Sequence, residues 1–295
     1  MLSILIPVYN YNIFPLAETL YNQVLRCNIS FEIICLDDGS EIFLTDNEKI
    51  NQFENCTYFI LEKNIGRSAI RNLLAKKAIY ENLLFLDADT IPVENDFIST
   101  YISQITNTEK VIYGGILYKN TKPSSDQLLR WIYGTKREAL PTLERNKNPY
   151  ISFLTLNFLI SKSVFLKVRF NENIPNLRHE DTLFSFELMQ NKIEVVHIDN
   201  PVFHLGIEDS QTFLRKSEEA VIGLKNLVDS RLISSDYVRL SQYFQIIKKY
   251  YLQPLFAFGF KILKPFFLKQ LLSKKPSLFL FDVYRLGYYC TLKTK

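Results

Sequence analysis

The chain has 295 residues, 47% hydrophobic and 22% charged, which allows a large core and excludes a disordered or low-complexity chain. The net charge of +4 is uneven: residues 248–295 carry nine Lys and one Arg against Asp282 alone, about +9, which leaves residues 1–247 near −5. Cys27, Cys35, Cys56 and Cys290 lie far apart with no CxxC pair, so neither a zinc pattern nor a disulfide framework is expected, and a reducing cytosol fits. Residues 1–7 lack a basic n-region and a cleavage site, and no run is long and apolar enough to span a bilayer, so neither a signal peptide nor a membrane anchor is expected.

Residues 2–6 form a short apolar, β-rich run closed by Pro7, which predicts a buried strand; 8–12 follow as a polar, aromatic loop. Residues 14–25 have helical spacing through Leu16, Leu20 and Val24. A second strand is predicted over 31–36, ended by Asp37-Asp38-Gly39-Ser40, and 43–53 are weakly helical. A third strand covers 58–61, a helix 66–79, and a fourth strand 83–86. Strand and helix alternate at short spacing, the signature of a doubly wound parallel sheet. In such sheets ligands bind beyond the carboxyl ends of the strands, here the polar loops at 7–12, 37–40, 62–67 and 87–90.

Beyond residue 90 the pattern changes. A strand with a bulge at Gly114-Gly115 is expected over 111–118, a helix with the single Trp, Trp131, over 127–138, and a strand over 153–160 followed by a short helix. A loop at 171–177, a helix at 180–190, a strand at 193–198 and an extended segment at 201–205 come next. From Asp209 onward the chain reads as mostly helical.

Several residues have the chemistry of a site. Asp87 and Asp89 end the fourth strand one residue apart; they would face the same side if the extended backbone persisted, and could hold a divalent cation touching phosphate or form a solvated strand exit. Arg67 and Arg71 share one face at a helix start after Gly66, an anion site in type. Asp38 could accept from a nucleobase or close a plain turn, and Tyr9 could stack on a base or cover the sheet edge. Of Glu180 and Asp181, one acid suits a helix first turn and the other a general base. His197 reads as a core histidine, whereas His204 could join Asp89 at a cation, imidazole suiting Mn²⁺ better than Mg²⁺.

In order and spacing, Ile4-Leu5-Ile6-Pro7-Val8-Tyr9-Asn10, the segment ending Asp37-Asp38-Gly39-Ser40, Asn64 to Asn72, Phe85-Leu86-Asp87-Ala88-Asp89 and His179-Glu180-Asp181 resemble family 2 glycosyltransferases of the GT-A fold. The resemblance is dense over 2–90 and looser to about 206. It implies an α/β, Rossmann-like GT-A sheet with flanking helices over 1–206, with 1–110 binding the nucleotide-sugar and 111–206 the acceptor, followed by a helical region over 207–295. It implies a nucleotide-diphospho-sugar donor, a UDP-sugar favoured, and transfer of one sugar with inversion to a glycan or lipid-linked acceptor in surface polysaccharide assembly. Asp87-Ala88-Asp89 is similar to the family's DxD motif: by that likeness Asp89 and His204 hold Mn²⁺ or Mg²⁺ and Asp87 helps on ribose or water. Likewise Pro7, Tyr9 and Asp38 line the nucleotide, Arg71 lies near the diphosphate, and Asp181 is the base. His179 stands where many relatives have Gly, and with Glu180 and Trp131 it is assigned to the acceptor side; the Gln-x-x-Arg-Trp motif of processive synthases is absent.

Residues 248–295 combine twelve aromatics with ten basic residues, and Phe256, Phe260, Leu263 and Phe267 recur at helical spacing broken by Pro265. That pattern suggests an interfacial segment on the inner face of an anionic membrane, or else a helical cap; no nucleic-acid recognition motif accompanies the charge. Two other functions fit less well. A nucleotidyltransferase would need a Gly-rich, Lys-bearing loop at 7–12, and a silent glycan-binding or scaffolding protein would be expected to lose Asp89 or Asp181.

Overall fold

A computed structural model describes residues 1–106, 108–175 and 177–293. In chain order the first elements are β1 (Leu2–Val8), α1 (Phe14–Leu25), β2 (Phe31–Asp37), α2 (Leu44–Glu48), β3 (Cys56–Ile60), α3 (Arg67–Lys77), β4 (Asn82–Leu86) and β5 (Thr90–Pro92). Then come α4 (Phe97–Ser103), β6 (Lys110–Tyr113), β7 (Ile116–Leu117), α5 (Leu128–Tyr133), α6 (Thr142–Asn146), β8 (Asn157–Ser161), α7 (Lys162–Lys167), α8 (Glu180–Gln190), β9 (Glu194–His197) and β10 (Val202–His204). The chain continues as α9 (Ser210–Asp229), α10 (Arg239–Lys249), α11 (Gln253–Leu271) and α12 (Leu278–Thr291).

The chain divides into two compact units, one of residues 1–118, 139–172 and 180–206, the other of 119–138, 173–179 and 207–295. The expected cut after 206 is therefore incomplete, because 119–138 and 173–179 leave the sheet unit. The reason is apolar burial: Leu129 of α5 shares a core with Leu214, Phe260, Phe267, Leu271, Phe281 and Tyr284 of the helical unit. Sequence neighbours do not reveal which distant surface an apolar face will bury against.

In the first unit a seven-stranded sheet has the order β3-β2-β1-β4-β8-β6-β9. β1 pairs in parallel with both β2 and β4, so the strand order reverses at β1 and its carboxyl end is the switch-point crevice. β8 runs antiparallel to β4 and β6. β1 and β4 are buried on both faces, with Leu2, Ile4, Leu5, Ile6, Leu83, Leu84 and Leu86 fully inaccessible, which is why they read as unbroken apolar runs. Leu5, Leu83 and Phe85 pack with Ile70, Leu74 and Ala75 of α3 and with an aromatic cluster of Phe158, Phe165, Phe170 and Phe184.

Two expected elements differ. The strand over 111–118 is two strands in different sheets, since Gly114 and Gly115 (φ +102°) turn the chain between β6 and β7. The second sheet, ordered β5-β10-β7, includes the three residues after the aspartate pair. β4 ends at Leu86, and the amide of Thr90 donates to the carbonyl of Asp87 at 3.2 Å, closing a turn. The extended backbone therefore does not persist through Asp87 and Asp89.

The second unit is helical. α11 runs through Pro265 without interruption, contrary to the break expected there. Proline forfeits one backbone hydrogen bond, but Phe260, Phe267 and Leu271 are buried on both sides of it. Among the described residues no helix is long and apolar enough to cross a membrane.

Candidate active site

The loops beyond β1, β2, β3 and β4 meet at one sheet edge, held by side chains whose partners are distant in sequence. Asn47 accepts from the amide of Ile13 and donates to the carbonyl of Tyr11, each at 2.9 Å, fixing the loop after β1. Ser40 accepts from the amide of Asn10 at 2.6 Å. Asp38 accepts from the amides of Ile65 (2.7 Å) and Gly66 (3.0 Å), so it ties the end of β2 to the start of α3. Burial raises its pKa against those two bonds. A carboxylate has acceptor positions beyond two amides, so this clamp leaves room for a further donor.

Asp87 and Asp89 belong to two different groups. Asp87 accepts from Nη2 of Arg71 at 2.7 Å. Arg71 is 5% exposed, lies over the ring of Phe170 at 5.4 Å and faces Glu180 at 3.9 Å. Phe170 stacks in turn on Phe184 of α8, with centroids 4.3 Å apart. The backbone of Phe170 both donates to and accepts from the amide of Asn72, at 3.1 and 2.8 Å. Arg71, Phe170 and α8 are thus locked together, and that lock sets where the first turn of α8 sits. Burial opposes the charge of Arg71, but Asp87, Glu180 and Asp181 outweigh it and raise its pKa. For Asp87, burial and the nearby Asp89 push the pKa up while Arg71 pulls it down. The upward effect of burial wins, although the guanidinium at 2.7 Å opposes it. Arg67, with 43% of its side chain exposed, reaches Glu180 at 3.5 Å.

Asp181 follows Glu180 in the first turn of α8. Burial, and after it the charge of Glu180, lifts its pKa to about 6, against hydrogen bonds from Thr182 and the field of Arg71. A helix start ordinarily favours the carboxylate, so the upward shift marks a site where desolvation wins. A carboxyl raised to about 6 can change protonation near neutral pH.

Asp89 faces His204, with Oδ2 and Nε2 3.2 Å apart. The small sheet makes this meeting: β10 pairs antiparallel with β5, placing His204 opposite Thr90, and the amide of Leu205 donates to the carbonyl of Asp89 at 2.8 Å. A Cβ on Gly206 would lie 2.3 Å from Oδ2 of Asp89, so a larger residue there would displace that carboxylate. The imidazole is nearly enclosed, 12% exposed, and its Nδ1 is buried with no hydrogen-bond partner among the described residues. One carboxylate and one imidazole at a strand end make a donor set of the kind that suits Mn²⁺, with other positions open to oxygens from a ligand. Among the described residues no cluster of three or more His, Cys, Asp or Glu could enclose a metal unaided. Tyr11, unremarked in the sequence, belongs to this group: burial and then the charge of Asp89 raise its pKa. Its signal was its place two residues beyond Tyr9 in the loop after β1.

The remaining candidates separate. Pro7 lies within β1, and Tyr9 just beyond it is 56% exposed and does not cover the sheet edge. Ala88 occupies the turn between the two aspartates. His197 is 3% exposed; Nδ1 accepts from Arg145 at 3.1 Å and Nε2 donates to the carbonyl of Pro149 at 2.8 Å. Burial lowers its pKa to about 4, so it is a neutral core histidine, as read from the sequence. Trp131 and His179 belong to the second unit, where Trp131 donates to the carbonyl of Lys119 at 3.0 Å. His179 has φ +70° and Arg178 φ +68°, the left-handed region that glycine enters without penalty. The backbone shape that suits Gly is therefore present with His in its place.

A family model described as glycosyl transferase family 2 matches residues 3–169. The chain belongs to that family. This glycosyltransferase is 28% identical over 200 residues to an uncharacterized glycosyltransferase of Haemophilus influenzae, covering 64% of the chain and 72% of that protein. It is 32% identical over 158 residues to a chondroitin synthase of Pasteurella multocida, covering 51% of the chain but 16% of the synthase. Among solved structures, S. aureus TarS in complex with UDP-GlcNAc aligns at TM-score 0.51 and 20% identity, covering 76% of the chain and 66% of TarS. A mannosyltransferase from Pyrobaculum calidifontis in complex with GDP-Man and Mn²⁺ aligns at TM-score 0.54 and 12% identity, covering 77% and 64%. At these identities the two structures establish the GT-A fold of the glycosyltransferase.

Proposed function

We propose that this enzyme transfers one glycosyl group, with inversion, from a nucleotide-diphospho-sugar to a hydroxyl of a glycan or lipid-linked oligosaccharide in surface polysaccharide assembly. The observation that carries the reading is the Asp89–His204 pair at the switch-point edge, 3.2 Å apart. It is a two-donor site with its remaining positions free for diphosphate oxygens, and Asp181 stands on the same unit as a base. The UDP-GlcNAc and GDP-Man complexes of the structural neighbours support the donor class, and a UDP-sugar is favoured.

In this reading Tyr9 offers an exposed ring to the nucleobase, beside Pro7, and Asp38 accepts from the base while holding the amides of Ile65 and Gly66. Arg71 orients Asp87 toward ribose and lies near the diphosphate, Ala88 shapes the turn, and the more exposed Arg67 is a second guanidinium of the anion site. Asp89 and His204 would hold Mn²⁺ or Mg²⁺, which supplies positive charge to the leaving diphosphate. Asp181 takes the proton of the acceptor hydroxyl as that oxygen attacks the anomeric carbon from the opposite face. The bond from that carbon to the phosphate oxygen breaks, and its electron pair leaves with the nucleoside diphosphate. At pH 7 a carboxyl titrating near 6 is mostly ionised yet still basic enough to assist. Glu180, on the same unit as Asp181, is assigned to the acceptor side.

The reading is tested by nucleoside diphosphate release from a panel of UDP-, GDP- and dTDP-sugars with Mn²⁺, alongside thermal shifts. Turnover of one donor, lost in Asp89→Ala, is expected. Neither turnover nor a selective shift with any donor would count against it; a bound ligand at 100-fold over Kd adds roughly 2.7 kcal/mol.

A further inference from the structure

We propose that α11 is a docking surface for a bilayer leaflet rich in anionic lipid. The helix has two apolar faces, and only one is used. Phe260, Phe267 and Leu271 are at most 5% exposed and pack with Phe281 and Tyr284 of α12. Gly287 lets α12 approach, since a Cβ there would lie 2.5 Å from the ring of Phe260. On the other side Leu255, Phe258, Ile262 and Phe266 are 63, 65, 61 and 58% exposed. Their spacing of three, four and four residues makes them one stripe along the helix. Phe256 and Leu263 of the same helix are also exposed, and Tyr250 and Tyr251 lie just before it at 64 and 91% exposure. A helical cap with a solvated outer face would carry polar residues at these positions. Single exposed apolar side chains are ordinary, but a continuous stripe of them marks a surface that meets something apolar.

The charges choose the partner. Lys261 and Lys269 are exposed on α11 itself, Lys248 and Lys249 close α10, and Lys274 and Lys275 follow α11, all exposed. Lys264 shows how this unit consumes a lysine structurally: it pairs with Glu218 at 3.0 Å and sits over the rings of Phe260, Tyr284 and Tyr288. Asp282, the one acid in 248–295, is paired with Arg137 at 2.8 Å. Apart from these two pairs, the charged residues that border the stripe in sequence over 248–295 are all basic, a positive rim to it. A second copy would bring two such rims together, which like-charge repulsion opposes, whereas an anionic leaflet answers both the apolar stripe and the basic rim. Because α11 is not apolar enough to cross, it would lie in the interface with Phe258, Ile262 and Phe266 among the acyl chains.

The proposal is independent of the donor. The test is co-sedimentation of the full chain with vesicles of phosphatidylcholine alone and with about one third phosphatidylglycerol. Binding at least about tenfold greater to the anionic vesicles and weakened by salt is expected, with loss in the Phe258→Ser, Ile262→Ser, Phe266→Ser triple variant. Lys261→Glu with Lys269→Glu, which touches only exposed side chains, should weaken binding with circular dichroism unchanged. Donor hydrolysis measured on the same samples should be retained in both variants, so failure of docking and failure of the glycosyltransfer reading are read separately. Wild-type protein that stays in the supernatant with both vesicles would overturn the proposal. So would a triple variant that sediments like wild type, or a wild-type dimer in solution that the triple variant makes monomeric.

Discussion

The sheet edge and α11 handle exposed chemistry in opposite ways. At the edge three carboxylates are placed by distant partners: Asp38 by Ile65 and Gly66, Asp87 by Arg71, Asp89 by His204. On α11 the exposed stripe of Leu255, Phe258, Ile262 and Phe266 is apolar and is placed only by the helix, which is fixed through its other face. A catalytic edge needs distances held to a fraction of an ångström, so it spends long-range hydrogen bonds on each side chain. A surface that meets a fluid partner needs only area and charge. Within the edge the two acids also differ, because desolvation lifts the Asp181 pKa while Asp89 faces an imidazole and keeps a third of its side chain exposed.

The largest effect expected from breaking this arrangement is at Asp181. Asp181→Asn should lower kcat about 10²- to 10⁴-fold, measured as sugar transfer. The same variant should be more stable at neutral pH, which sets a base apart from a structural acid. The pKa is raised from 3.8 to about 6, so between those values the native state holds a proton that the unfolded chain has released. Stability conferred at this site therefore falls as pH rises through that window and the full penalty remains above pH 6; Asn removes it, for a gain of at most about 3 kcal/mol in urea melts.

Next comes the Asp89 group. Gly206→Ala should displace the Asp89 carboxylate and cost roughly 10- to 100-fold in the Mn²⁺ concentration for half-maximal activity, with donor KM following. An unchanged metal dependence would show that Asp89 does not need its observed position. In wild type, kcat/KM should drop about tenfold per pH unit below the Asp181 pKa of about 6 and stay flat just above it. A flat acid limb would remove Asp181 from the mechanism.

The smallest effect is at His179. With φ +70°, His179→Gly should leave Tm unchanged or raise it, whereas His179→Ile should cost about 1 kcal/mol or more, since β-branched residues resist the left-handed region. Equal loss in both variants would mean that the imidazole itself, rather than the backbone shape, is needed.

Much of the first 90 residues was legible because parallel strands buried on both faces are continuous apolar runs and their exits are polar. Leu2 to Ile6 and Leu83 to Leu86 announced β1 and β4, and with them the edge that holds Tyr9, Asp38 and the aspartate pair. The one-residue spacing of Asp87 and Asp89 was also legible, but its meaning was not. Extended geometry would aim both at one point; a turn gives one to Arg71 and the other to His204. Asn47 could not be singled out in the sequence, because it acts through hydrogen bonds to Tyr11 and Ile13, more than thirty residues away.

By itself the sequence determined the alternation of strand and helix, the chemistry of the four loops and the basic, aromatic character of residues 248–295. These follow from local periodicity and composition, which every short window carries. Tertiary structure alone decided that β10 pairs with β5 in the register that brings His204 to Asp89. It also decided that burial lifts the Asp181 pKa and that α11 keeps one of its apolar faces bare. Each of these depends on which surfaces bury one another across long separations, and the free energy of that choice belongs to the whole chain.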